Sequence, residues 1–200
     1  MTAILVAGYK SFELGNIVHS ILEEYYKNKN SNIDDIFLKY KSSNPFLILD
    51  LEVFKHNIKK LLENDKNRLE TREIVEIEKK FSVNFNEFEL IGVIDRVDKF
   101  EDNYELIDYK TSRSLKIDTI NTYSKSCDFQ LEFYFLAIKN LYKTTNIKAF
   151  YYDIFENSLK QEVVLNEKLE LLQNIFDDLK NQSKSKIDFC KTENKSTCEY

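Results

Sequence analysis

Three glycines and one proline in 200 residues leave this chain with almost no backbone punctuation. No Gly/Pro/Ser-rich linker separates domains, and no repeat or low-complexity tract takes its place. Cysteine occurs three times, an odd number with two copies near the end, which argues against a secreted disulfide framework. No run of about 18 apolar residues is present, so no membrane-spanning helix is expected. Residues 1–10 lack the basic region and the full apolar region of a signal peptide, and a cytoplasmic location is expected. Positive charge is also scarce. With 29 Lys+Arg against 34 Asp+Glu, the net charge is −5, unlike a protein that grips nucleic acid by bulk charge. There is no GxxxxGK[ST], hence no phosphate-cradling motor within the chain.

What is present is globular. A hydrophobic content of 42% and an aromatic content of 14% suffice for a real core, and the length suits one domain over residues 1–200. Leu14, Ile17, Val18, Ile21, Leu22 and Tyr25 recur at helical spacing and predict a helix over 13–28. A second helix is expected over 50–69, with Phe54, Ile58, Leu61 and Leu62 turned inward. Strands are expected at 73–84, 88–99 and 104–111, a helix at 127–143, strands at 147–155 and 160–165, and a last helix at 167–182. This order gives an α/β fold: a mixed central β-sheet flanked by helices.

The segment from Gly92 to Thr111 is the most informative. Two β-rich runs flank Glu101-Asp102-Asn103, a polar cluster that reads as a hairpin turn. An antiparallel pair folded there sets Asp95 opposite Asp108, about 5.5 Å apart at Cα. Like charges placed so destabilise a sheet unless a cation compensates. Lys110 shares a face with Asp108 by alternation. Val93, Val97 and Leu106 are expected on the same face, so the carboxylates sit among apolar neighbours. Two carboxylates and one amine on one sheet face suit a divalent-metal site for phosphodiester cleavage.

Other residues are ambiguous taken singly. His19 lies about 120° from the centre of the apolar stripe of the first helix and reads alone as a surface histidine, although imidazole suits Mn²⁺-type sites. His56 sits on a solvated face. Glu78 can reach the hairpin from the preceding strand, with Glu76 as its rival. Gln130 and Tyr134 neighbour one another on a helix and could bind a phosphate or a base edge, or simply edge the core.

Together these residues resemble the PD-(D/E)XK nuclease superfamily, in particular its RecB-type branch. The resemblance rests on Gly15-x-x-x-His19, Glu78-x-x-Phe81, Gly92-x-Ile94-Asp95-Arg96-x-Asp98, Asp108-Tyr109-Lys110-Thr111 and Gln130-x-x-x-Tyr134. It implies a restriction-endonuclease-like core and Mg²⁺ or Mn²⁺ as cofactor. By resemblance, His19, Asp95 and Asp108 hold the metal, assisted by the Tyr109 carbonyl, and Lys110 orients the attacking water. Glu78 joins the catalytic set, while Gln130, Tyr134, Arg96 and Thr111 support the site or contact DNA. Relatives with an iron–sulfur cluster place one cysteine before the histidine motif. None precedes His19 here, so a cluster is not expected, and Cys190 and Cys198 would serve one only in a longer chain. The implied protein is a DNA exonuclease, the nuclease part of a bacterial double-strand-break repair enzyme, with a helicase domain or subunit as partner. The chain is expected to be a fragment of such a helicase–nuclease. Alternatives are a stand-alone exonuclease akin to CRISPR adaptation nucleases, a catalytically idle DNA-binding copy, or a plain α/β interaction module.

Overall fold

The computed structural model describes residues 11–28, 31–126 and 128–184. Cys127, Cys190 and Cys198 lie outside them. The chain begins with three helices, α1 (Ser11–Lys27), α2 (Ile33–Phe37) and α3 (Pro45–Arg68). Three strands follow, β1 (Glu73–Phe85), β2 (Phe88–Phe100) and β3 (Asn103–Lys110). Then come α4 (Ile120–Tyr123), α5 (Gln130–Tyr142), β4 (Ile147–Asp153), β5 (Ser158–Gln161) and α6 (Leu165–Lys184). The five strands form one mixed sheet in the order β1-β2-β3-β4-β5. Only β3–β4 is parallel, and α4 and α5 lie in the crossover that such a pairing requires. The sheet therefore matches the expected α/β architecture.

Turn chemistry fixes the hairpins. Asn86 and Glu87 both have positive φ, 49° and 70°, which suits a tight two-residue connection of twisted strands. Glu101, at φ 53°, turns β2 into β3. The register there is the one expected from sequence: Phe100 pairs with Asn103, Val97 with Leu106 and Arg96 with Ile107. Asn44 caps α3, its side-chain oxygen accepting the Phe46 N–H at 3.0 Å, with Pro45 in the first turn.

Two cores sandwich the sheet. On one face Val18, Ile21 and Leu22 of α1 and Phe54, Ile58 and Leu61 of α3 pack on Ile107, Tyr109 and Tyr152. On the other, Leu131, Phe135 and Ile138 of α5 and Leu172 and Phe176 of α6 cover Val97, Leu106 and Ala149. Two glycines permit close approach. A Cβ on Gly92 would lie 2.8 Å from the Phe81 ring, and one on Gly15 would meet Thr111 Oγ1 at 3.4 Å, where α1 crosses the end of β3.

The helices α2 and α4 were not foreseen. Five and four residues are too short to show a period, and local side-chain bonds define them. Asn32 accepts the Asp34 N–H at 2.8 Å, and Thr122 Oγ1 accepts the Thr119 N–H at 3.0 Å.

The second core also buries charge. Lys168 Nζ pairs with Glu162 Oε2 at 2.6 Å, both nearly inaccessible. Beside them Glu132 Oε2 has no hydrogen-bond partner among the described residues. Burial pushes the Glu132 carboxyl up to about 7, with Asp128 and Glu162 adding to the shift and Lys168 opposing it. The folded chain thus holds this proton more tightly than the unfolded chain. The associated stability is present below the ordinary carboxyl pKa and is lost as pH rises through about 7. Glu132→Gln should remove this loss, so its unfolding free energy should gain on the parent by on the order of 2–3 kcal/mol between pH 5 and 8. Denaturant titrations at the two pH values check this. A constant difference would mean that Glu132 keeps an ordinary carboxyl.

Candidate metal centre

The centre forms where β1 and β2 stop alternating. Ile77 pairs with Arg96 and Lys79 with Ile94, and between them Glu78 adopts φ 47°, a left-handed conformation rare for a residue with a Cβ. Ile94 and Val97, three residues apart, enter the same core, so the side chains change face at this point. This corrects the expected common face of Val93, Val97 and Leu106. Val93 instead lines the cleft with Asp95, while Val97 and Leu106 are core. Strict period-2 alternation cannot anticipate a break forced by one left-handed residue.

The break turns Glu78 and Asp95 toward α1. Ligand atoms of His19, Glu78 and Asp95 lie within 4.8 Å of one another. His19 Nδ1 is 3.6 Å from Glu78 Oε1 and 3.5 Å from Asp95 Oδ2. Its Nε2 lies 3.1 Å from the Tyr109 carbonyl oxygen. A carbonyl only accepts, so Nε2 carries a proton, and Nδ1 faces the two carboxylates. The Tyr109 carbonyl thus orients His19, the arrangement usual for a metal-binding histidine. The Tyr109 N–H in turn donates to Asp95 Oδ2 at 2.8 Å. The side chain of Asp95 thus replaces a strand carbonyl just where the β2–β3 ladder would reach Asp108.

Asp108 stands apart from the three-residue group. It is fully buried, and its Oδ2 lies 2.9 Å from Lys110 Nζ without the alignment of a hydrogen bond. Lys110 also reaches Asp128 Oδ2 at 2.9 Å and donates to Gln130 Oε1 at 2.5 Å. Gln130 Nε2 donates to Tyr134 Oη at 3.4 Å, and Tyr134 Oη donates to Asp95 Oδ1 at 3.4 Å. These contacts link α5 to both carboxylates.

Electrostatics here are those of a site short of positive charge. Burial opposes charging His19, yet pairing with Asp95 and Glu78 and the charges of Asp95 and Asp108 outweigh it and raise its pKa to about 10. Burial first, then the charge of Asp95, pushes Asp108 up to about 7 against the pull of Lys110. Burial lowers the pKa of Lys110, but Asp108 and Asp128 raise it by more.

Other residues singled out by sequence fall elsewhere. Arg96, expected to touch DNA or support the site, is 1% exposed, with its guanidinium over the Tyr26 ring of α1. It grips Asp98 with two hydrogen bonds of 2.7 and 2.8 Å, pairs with Asp65 and donates to the Tyr109 hydroxyl at 3.2 Å. Direct contact with DNA is ruled out by that burial, and its hold on Tyr109 is a supporting one. Arg68 bridges Asp98 and Glu105, so the buried acids are matched. Glu76 is tied to Lys79 at 2.8 Å and to the Tyr142 hydroxyl at 3.0 Å, away from His19. His56 is exposed on α3. Asp128 was overlooked, because nothing in its spacing relates it to a lysine 18 positions earlier.

The group opens into a cleft of about 930 Å³ lined also by Asp50, Thr111 and Arg113. A mixed five-stranded sheet between helices, with His19, Glu78 and Asp95 gathered at one cleft, is of the restriction-endonuclease-like class. The sequence model of the PD-(D/E)XK nuclease superfamily matches residues 6–200, and the chain belongs to that superfamily. Comparison with curated proteins finds no match. Nucleases of this superfamily use divalent metals, and the residues present fit one. They offer an imidazole nitrogen held by a backbone carbonyl, carboxylate oxygens, and a buried Asp108 oxygen without an aligned donor.

Proposed function

We propose that this chain is a metal-dependent deoxyribonuclease of the RecB type, the nuclease part of a bacterial double-strand-break repair enzyme. It works from DNA ends in the cytoplasm. The observation that carries this reading is the convergence of His19, Glu78 and Asp95 within 4.8 Å beside the Asp108–Lys110 ion pair. His19, Glu78, Asp95 and Asp108 would hold Mg²⁺ or Mn²⁺, which suit oxygen and imidazole donors. The cation supplies Lewis-acid polarisation of the phosphate and a more acidic water. Lys110 would orient the attacking water and stabilise charge developing on the phosphate. Tyr109 and Tyr134 hold Asp95 in place, and Gln130 and Thr111 face the substrate from the cleft wall. End-labelled linear DNA should be degraded with Mg²⁺ and spared with EDTA, and closed circular duplex should survive. Cutting of closed circles at the same rate would contradict the requirement for ends.

Affinity should be low in the chain taken alone. Its net charge is −5, and Arg113 at the cleft is paired with Asp50 at 3.1 Å. Lys110, Arg113, Lys116 and Lys125 supply few phosphate contacts. Since log K falls by roughly 0.9 per phosphate neutralised, the salt dependence should be shallow and binding on the order of micromolar or weaker. A helicase domain or subunit would supply the missing grip and feed the strand. Fluorescence anisotropy over a salt series measures this. Nanomolar duplex binding with a slope implying about eight or more contacts would favour a self-sufficient exonuclease.

A further inference from the structure

We propose that Asp128 is the positioning residue of Lys110, anchoring its amine to the first turn of α5. The inference rests on the nuclease reading for its kinetic consequence, but not for its geometry. A lysine side chain is a flexible four-carbon stem ending in a point charge, so its strand position alone does not fix the amine. Three acceptors surround Nζ: Asp108 Oδ2 at 2.9 Å, Asp128 Oδ2 at 2.9 Å and Gln130 Oε1 at 2.5 Å. Asp108 is poorly aligned for a hydrogen bond, and Gln130 is neutral. Asp128 combines charge with alignment.

Asp128 is itself held before it reaches the lysine. Its Oδ1 accepts the Gln130 N–H at 3.1 Å, and its own N–H donates to Ser126 Oγ at 3.1 Å. Ser126 Oγ donates back to the Asp128 carbonyl at 3.0 Å. One carboxylate oxygen therefore stays with α5 while the other takes the amine. Because Tyr134 of the same helix reaches Asp95, α5 fixes the lysine and the carboxylate in one frame. The opposite role, an anion that restrains Lys110 from the phosphate, predicts the reverse kinetic sign.

Asp128→Asn separates the two jobs, because asparagine keeps an acceptor for the Gln130 N–H and loses the charge that holds the amine. In the 200-residue chain with Mn²⁺ and a short DNA oligonucleotide, D128N should lower kcat roughly 10- to 100-fold. KM and Mn²⁺ affinity by calorimetry should stay within about twofold, because Asp128 touches neither. D128E should recover part of the loss. The readout independent of activity is the acylation rate of Lys110 by an acetylating reagent, followed by peptide mass spectrometry, which should rise in D128N. An unchanged or raised kcat in D128N, or unchanged Lys110 labelling, would overturn the assignment. If the parent chain cleaves nothing, the nuclease reading fails, and the labelling experiment still decides whether Asp128 holds the amine.

Discussion

Lys110→Ala is expected to lose Mg²⁺-dependent cleavage by roughly 10²- to 10³-fold, the usual cost of removing one preorganised charge at a developing anion. Metal affinity should not fall, because the amine is a cation beside the ligand Asp108 and is not itself a ligand. Asp108→Ala is expected to lose both cleavage and metal binding. Calorimetric titration with Mn²⁺ alongside single-turnover cleavage separates the two variants. Undiminished cleavage by the lysine variant refutes its role. Equal loss of metal binding in both would show that the ion pair acts as a single unit.

Asp95→Asn should have the next largest effect. Asp95 Oδ2 takes the Tyr109 N–H at 2.8 Å and faces His19 at 3.5 Å, while Oδ1 takes the Tyr134 hydroxyl at 3.4 Å. Asparagine can still accept one of these bonds, but it places an amide nitrogen where the second acceptor stood. Metal affinity should fall by about 10- to 100-fold or more, with cleavage falling alongside it. A strained buried donor should also cost about 1–3 kcal/mol of stability. Mn²⁺ titration and a thermal melt check both halves. Full metal affinity in this variant would remove Asp95 from the ligand set.

The β2–β3 register was legible because period-2 alternation and one polar turn suffice to align Val97 with Leu106. His19 was legible only through its place in a series of motifs, since one helix face cannot show which strand end it meets. The site's actual grouping was not legible, and one dihedral explains why. Glu78 at φ 47° breaks the pairing opposite Asp95 and turns both acids to α1. A sequence offers no signal for a left-handed glutamate within a strand. The Arg96 network was hidden for a different reason. Asp65 of α3 and Tyr109 of β3 meet that guanidinium only in the folded chain, so from sequence Arg96 reads equally as a DNA contact or as a support of the site. Asp128 likewise resembles an ordinary helix-start residue, and only its contact with Lys110 gives it a second task.

The most direct measurement is the anomalous diffraction of a crystal of this chain grown with Mn²⁺. One strong peak is expected within about 2.5 Å of His19 Nδ1 and of oxygens from Asp95 and Glu78 or Asp108. No peak in that cleft at millimolar Mn²⁺, or a peak only at acidic residues elsewhere, would contradict it.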